Sequence, residues 1–429
     1  MRHRVLWSIA SRVCPRGLPG FALITGAILI TACRESPSTV PAADAGPLVA
    51  DTAGLRIVND TAASWGNGSP WTVGVAPTLD IGSPAQALLG VADPVWLSDG
   101  RVVVVNASKQ QILYFAPSGA LLVTAGGPGV DQGQFHGLGW VGLAPADTIV
   151  AFDFVSNRFS LFDAKGKFVR GFGLPLDSTA VGPEPLASYP DGSVLVRLGR
   201  ARPFVGKPGA VRRDSASYVR VGLDGVVRVT IGTFPQSESF GVMAHGKTGP
   251  TTPFPVPFGL LTAVAVRGDT TLIGTSASFE IASFGPAGAP VGLLRAAIAR
   301  PPVTAEEKAA FTTAAISRLR TASVMMKTPL DSGLLAAVSG APFPANKPAF
   351  GRFVVDATGA LWVSDPLTPP QPPTNWNIFA PDGTWLGSVV TPAGFRVDVI
   401  GQNAMLGVWR APHGDERVQV YPIFRGAGS

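Results

Sequence analysis

Only two cysteines, Cys14 and Cys33, occur in the 429 residues. The chain after Cys33 has no thiol, which excludes disulfides, cysteine-ligated zinc and cysteine nucleophiles from most of the protein. Histidine is nearly as scarce: His3, His136, His245 and His413 are the only four. No two of them have metal-ligand spacing, and no H-E-x-x-H is present. The strand-to-helix elbow G-x-S-x-G is absent; GTSAS from Gly274 fails the pattern. Charged residues make up only 14% of the chain, against 46% hydrophobic, so a polar disordered chain is excluded and a large core is affordable in composition. What is plentiful is Gly 51 and Pro 40, the composition of many turns between short strands.

The formal charge of +6 comes mostly from the N-terminus. Arg2, Arg4, Arg12 and Arg16 face no acid before residue 33, and without them 30 basic side chains stand against 28 acidic ones. A nearly neutral chain gives no reason to expect nucleic acid. After the basic stretch, FALITGAILITA (Phe21 to Ala32) is continuously apolar. It is shorter than the roughly 20 residues that a spanning helix needs and has the length of a signal-peptide core. Ile30-Thr31-Ala32-Cys33 resembles a bacterial lipobox, whose cysteine receives diacylglyceryl; the alternative is a plain anchor with a chance cysteine. The resemblance implies a signal peptide over 1–32, lipid on Cys33, and a lipoprotein held at a membrane of the cell envelope. Arg34 in place of an Asp after the cysteine implies the outer membrane in a Gram-negative cell. RESPSTVPAADAGP, from Arg34, then reads as the main part of a flexible tether over 33–52.

From residue 53 to 429 two marks recur. One is a tight turn followed by an apolar strand: SDG-RVVVVN from Ser98, ADT-IVAFD from Ala146, PDG-SVLVRL from Pro190, GDT-TLIGTS from Gly268, ATG-ALWVSD from Ala357 and QNA-MLGVWR from Gln402. The other is an alternating strand ending in an aromatic with a glycine four residues on: Phe115 and Gly119, Phe162 and Gly166, Phe284 and Gly288, Phe379 and Gly383, with Val221 and Gly225 as a degenerate copy. The last unit, VQVYPIF, lacks a strand after its turn. WTVGVAPTLDIG (Trp71 to Gly82) precedes the first unit and matches its neighbours' last strands. Pairing these two ends would remove exposed sheet edges. The expectation is an all-β, six-bladed β-propeller whose last blade is closed by an N-terminal strand.

The first unit, with its G-x-hhVhN, then I-hhF-x-x-x-G, then GGPGVDQGQF, resembles an NHL repeat. The chain as a whole resembles bacterial six-bladed propeller lipoproteins. That resemblance implies a non-catalytic binding or scaffold protein; the alternative it leaves is an envelope hydrolase or lyase with a metal in the propeller channel. Calcium-dependent lactonase propellers need Glu, Asn and Asp converging there, and no inward Glu is evident. No cofactor is expected. The expected partners are the membrane, through the N-terminal lipid, and an envelope protein or glycan, with the protein itself a monomer.

The second strands begin at intervals of 47, 45, 77, 90 and 44 residues, so two intervals carry insertions. One holds RLGRARPFVGKPGAVRRD. The other holds a helix over 304–326, with Thr304 and Glu307 as a capping box and Phe311, Ala315, Leu319, Ala322 and Met326 on one face; it reads as a packed cover or as a lid. It should be the only substantial helix after the leader. Asn106, Asp153 and Asp365 end second strands, where a short polar side chain caps the following turn or contacts a ligand. Trp96, Trp140, Trp362 and Trp409 read as wedges between blades. Long insertions on a rigid scaffold carry binding function, and strand reversal puts all of these on one face. The expected ligand contacts are Arg200, Arg202, Arg213, His245 and Trp376, with no catalytic or metal residue. Replacing Cys33 by Ala is expected to abolish palmitate labelling and leave uncleaved precursor; a labelled variant, or an unlabelled wild type, refutes the lipidation.

Overall fold

The computed structural model describes residues 46–66, 68–83, 87–175, 182–200, 209–243, 251–368, 371–411 and 414–426. The lipid attachment site at Cys33 and the signal peptide therefore lie outside the described residues. The fold is β-propeller-like: a succession of small antiparallel sheets, each a meander. Sheet one runs Val91–Trp96, Val102–Asn106, Gln111–Phe115, Leu121–Gly126, and sheet two Leu138–Ala144, Thr148–Asp153, Arg158–Phe162, Phe168–Gly173. Sheet three is Glu184–Ser188, Val194–Leu198, Ser215–Val221, Val227–Pro235, and sheet four begins Ala263–Arg267, Thr270–Gly274, Glu280–Phe284, Pro290–Ala296. Sheet five is Phe353–Val355, Leu361–Ser364, Asn375–Phe379, Trp385–Val390, and sheet six Phe395–Ile400, Ala404–Arg410, Glu416–Arg425. The first strand of each sheet lies against the first strand of the next, and that of sheet six lies against that of sheet one.

The packing explains the sequence. Val102–Asn106, Gln111–Phe115 and Thr148–Asp153 are buried on both faces almost throughout, so they read as continuous apolar runs, not alternating ones. Both faces are covered because each hydrophobic cluster is shared by two consecutive sheets. Val103, Ile112 and Tyr114 of sheet one meet Val141, Ile149 and Phe162 of sheet two. Val102, Val104 and Phe115, on the other face, meet Leu406, Val408 and Val418 of sheet six. The fourth strands turn one face to water, as in the exposed Leu122 and Thr124 beside the more buried Val123 and Ala125.

The turns after the first strands gather at one end, where charge links neighbours. Ser98 donates from N (2.9 Å) and Oγ (2.7 Å) to Asp147. Between sheets three and four, the buried Arg220 lies 4.1 Å over Tyr189 and reaches Ser193 Oγ (2.7 Å), Asp191 (2.9 Å) and Asp269 (3.0 Å). Between sheets five and six, Asp356 accepts from Trp362 Nε1 at 3.0 Å and Arg425 at 2.8 Å, and that guanidinium stands 4.2 Å over Trp71.

The N-terminal segment works as an outer strap. Leu48–Thr52 and Leu55–Asp60 form a hairpin turned at Ala53 (φ 51) and Gly54 (φ 80), the left-handed pair of a tight hairpin turn. It adds to sheet four, with Leu55–Asp60 parallel to Pro290–Ala296. The strand Leu48–Thr52 thus lies inside the segment read as a tether over 33–52. Ser64 and Trp65 then donate to Trp385 O (2.9 Å) and Leu386 O (2.7 Å) of sheet five. Trp71–Val73 and Leu79–Ile81 pair with the C-terminal strand Glu416–Arg425, the pairing that the missing outer strand of the last unit called for.

The insertions also fold together, at the end opposite the linked turns. Val211–Arg212, Ser239–Met243 and Thr251–Pro255 make a three-stranded sheet. Helix α1 (Ala305–Met326) has the expected capping box, but a second helix, α2 (Ser332–Ser339), follows it, N-capped by Asp331. Phe240 and Val242 of the small sheet pack with Val256, Ala341 and the α2 residues Leu334 and Ala337. Phe311 of α1 meets Phe258 (6.2 Å) and Phe343 (5.8 Å).

Asp356→Ala is expected to destabilise the fold by about 3 kcal/mol, because it leaves a mostly buried guanidinium without its counter-charge and an indole N–H without its acceptor. Denaturant unfolding with an unchanged midpoint would refute that role.

Candidate functional site

The six first strands enclose a cavity of about 310 Å³ lined by residues of every sheet, among them Asp93, Trp140, Ser188, Val264, Arg352 and Asp398. Valine is the commonest residue of the wall, but polar atoms make up more of its exposed surface than apolar ones. Its charged groups come from two first strands and from the residue that leads into a third, and local backbone irregularity aims the two acids.

Asp93 sits where the pairing of Val91–Trp96 shifts register, between Ala92 and Val95. The following Pro94 has no N–H to give the ladder, and a bulge absorbs it. Asp93 itself has φ 40, a left-handed conformation that is costly for a residue before proline. Asp398 is likewise the extra residue of a bulge, between Val397 and Val399. Bulges of this kind turn a side chain away from the regular alternation.

Asp398 holds two guanidiniums. Arg396 Nε donates to its two oxygens at 2.9 and 3.1 Å, and Arg352 Nη2 donates at 3.2 Å. Arg352 Nη1 also reaches Val397 O at 3.0 Å, and Arg396 Nη2 reaches Val91 O at 3.4 Å, so the group ties sheets five, six and one together. The Asp398 carboxylate is 4% exposed, while the Arg352 and Arg396 side chains are 34% and 31% exposed. Burial opposes the charge on Arg396, but Asp398, Asp93 and Glu416 outweigh it and hold its pKa above the usual range.

The Asp93 carboxylate differs from Asp398: no hydrogen bond reaches it from the described residues. Burial, with Asp398 adding repulsion, pushes its pKa up to about 6, and Arg396 and Arg352 pull the other way. A carboxyl that titrates near neutrality in a cavity can exchange a proton or wait for a cationic partner. Among the described residues no three His, Cys, Asp or Glu side chains converge as a metal site, and the two guanidiniums beside Asp93 and Asp398 oppose the net positive charge of a metal ion.

The residues singled out from sequence do not come together here. Arg200 is exposed; Arg202 and His245 lie outside the described residues. Arg213 donates to the carbonyls of Gln236 (2.7 Å), Leu261 (3.0 Å) and Thr275 (2.7 Å), and burial lowers its pKa. It fastens the insertion to sheet four. Trp376 is 1% exposed, packed in the core between sheets five and six, with Nε1 on Thr391 Oγ1 at 3.3 Å. Asn106 and Asp153 serve their turns, Asp153 accepting from the N–H groups of His136, Val155 and Ser156. Asp365 instead accepts from the side-chain amides of Asn375 and Asn377. The channel charges Asp93, Arg352, Arg396 and Asp398 escaped motif reasoning. Their signal in sequence is charge inside a first strand, as in the RVD of FRVDVI and the DP of VADPVW.

No family model matches the chain, and no curated protein matches it in sequence. Among solved structures, a member of the DUF4221 family from Bacteroides vulgatus aligns at 11% identity and a TM-score of 0.49, covering 83% of this chain and 99% of that one. An exported-protein candidate from Bacteroides fragilis aligns at 11% identity and 0.46, covering 86% and 99%. A gluconolactonase from Xanthomonas campestris aligns at 13% and 0.40, covering 83% and 98%. At such identities none of them speaks to this chain's chemistry.

A carboxyl with a folded pKa above its unfolded value costs stability where it is ionised. For Asp93 the cost is absent below the ordinary value of 3.8, grows as the pH rises to about 6, and is constant above. Asp93→Asn is therefore expected to stabilise the protein at pH 7.5 by roughly 1–2 kcal/mol, discounted for channel water, and to change nothing at pH 3.5. Equal unfolding midpoints of the two proteins at pH 7.5 would show that Asp93 is not so perturbed.

Proposed function

We propose that the chain is a six-bladed β-propeller, exported and lipid-anchored in the cell envelope through Cys33, that works as a non-catalytic binding protein. The cyclic contact of the six first strands and the completion of the last sheet by Trp71–Ile81 support the blade count. The lipobox-like ITAC and the preceding apolar run support the anchor, and no helix of the described residues is long and apolar enough to cross a membrane. On this reading the lipid holds the protein in the cell envelope, at the outer membrane in a Gram-negative cell, and the partner is an envelope protein or glycan.

The observation that carries the binding role is the merging of separate insertions into one extra layer. Strands from within sheet three and from the connection to sheet four join the helical segment around Phe240, Val242, Val256 and Ala341. Asp365, at the start of the Pro-rich loop of sheet five, stands near enough to Lys347 to feel its charge. Elaborated loops built on a rigid scaffold are where recognition concentrates. The competing reading, an envelope hydrolase or lyase, rests on Asp93, whose raised pKa suits a general base.

Two measurements separate the readings. Crosslinking in intact cells is expected to capture a reproducible envelope partner, and to lose it when residues 300–347 are replaced by a short linker in a variant that still folds. Elemental analysis of the purified protein is expected to find no stoichiometric calcium or zinc. A bound equivalent of either metal, or no captured partner, would overturn the binding role.

A further inference from the structure

The channel group is balanced in charge and unbalanced in hydrogen bonding. Two guanidiniums and two carboxylates face one another, so the group is neutral when all four are ionised. Arg352 has five N–H donors and uses two on the described residues, Val397 O at 3.0 Å and Asp398 at 3.2 Å. The Asp93 carboxylate, on the same arc of the lining with only the sheet-six first strand between, accepts none. Ser188 Oγ, also in the lining, is buried with no partner among the described residues. The site therefore offers uncommitted donors and an uncommitted acceptor on one arc of the lining, with the half-buried Leu186 and Val264 of sheets three and four facing that arc around the ring.

This combination selects a ligand. An anion on Arg352 alone would leave the cavity with a net negative charge, and a cation on Asp93 alone with a net positive one; both are costly away from bulk water. A molecule with both charges adds none. The cavity of about 310 Å³ is at the small end of ligand pockets, which run from about 300 to 1,000 Å³, and suits a single small molecule, not a chain. We infer that the channel binds a small zwitterion of the α-amino-acid type. Its carboxylate lies on the uncommitted donors of Arg352, its ammonium lies on Asp93, and its side chain points toward Leu186 and Val264. This deepens the binding role proposed above and rests on it.

The site should respond to acidity. The groups that face Asp93 are Asp398 and Arg396 of the sheet-six first strand, Arg352 ahead of the sheet-five first strand, and, through Arg396, Glu416. With its pKa at about 6, Asp93 takes up a proton between pH 7.5 and 5 and loses its hold on an ammonium. Affinity for the zwitterion is thus expected to fall about tenfold over that interval.

The test is calorimetric titration of the full-length protein in detergent at pH 7.5. The probes are leucine and phenylalanine, their N-acetyl derivatives, their amides, and glucose as a neutral polyol. At least one free amino acid should bind saturably, with its N-acetyl and amide forms at least tenfold weaker and glucose silent. Asp93→Asn should weaken the amino acid at least tenfold and remove its pH dependence, and Arg352→Gln should weaken it similarly. The probe comparison needs no variant, so it stands even if a variant misfolds. A derivative that binds as tightly as its parent, glucose in place of the amino acids, or silence from every probe would overturn the zwitterion site. If any of these occurs while crosslinking still captures an envelope partner, the site falls and the binding role stands. If the capture fails as well, both fall.

Discussion

Each sheet of this protein has two apolar faces, and neither can be left to water. Val102, Val104 and Phe115 look one way and Val103, Ile112 and Tyr114 the other, all of them fully buried. A sheet so built is not stable alone, and one neighbour satisfies only half of it. The other features follow from that constraint. Successive sheets must stack face to face, the last must meet the first, and the inner strands are left around a cavity that they cannot fill. With no cysteine after Cys33, this mutual coverage, with the carboxylate–guanidinium links at Asp356 and Asp191, does the work that disulfides do in small exported domains.

Around the cavity these demands relax, and the first strands depart from regular geometry there. Asp93 and Asp398 both stand at bulges, and Asp93 adds a left-handed backbone before proline. A regular strand would have sent alternate side chains into the sheet-to-sheet core, where an unpaired carboxylate is least tolerable. The bulge delivers it to the cavity instead. Asp398 then organises both guanidiniums, so that Asp93 alone remains without a donor.

How much of this was legible in the sequence depends on how local each signal is. The turn-plus-strand marks from Ser98 to Gln402 announce themselves because a glycine or Asx turn and an apolar run lie within ten residues of one another. The outer strand at Trp71 was legible because the last unit visibly lacked one. The capping box of Thr304 and Glu307 is equally local. Arg213 was not legible: its three carbonyl partners come from residues 236, 261 and 275, and nothing near it in sequence says that an arginine in a basic loop is turned inward. Trp376 next to a Pro-rich loop looks like a contact residue, yet alternation along Asn375–Phe379 carries it into the core. The channel charges were the hardest to see, since bulges break the period by which a strand's inward residues are counted.

The strap of residues 48–81 has a consequence for the order of events as the chain is made. It lies on Pro290–Ala296 of sheet four, on Trp385 and Leu386 of sheet five, and on Glu416–Arg425 of sheet six. All three docking places are synthesised long after the strap itself. Its strands have no partner until the C-terminal segment emerges, and the loop closed by that last pairing spans most of the polypeptide. The first folded strands to appear are thus the last to find their place. The ring cannot close until Glu416–Arg425 has been made.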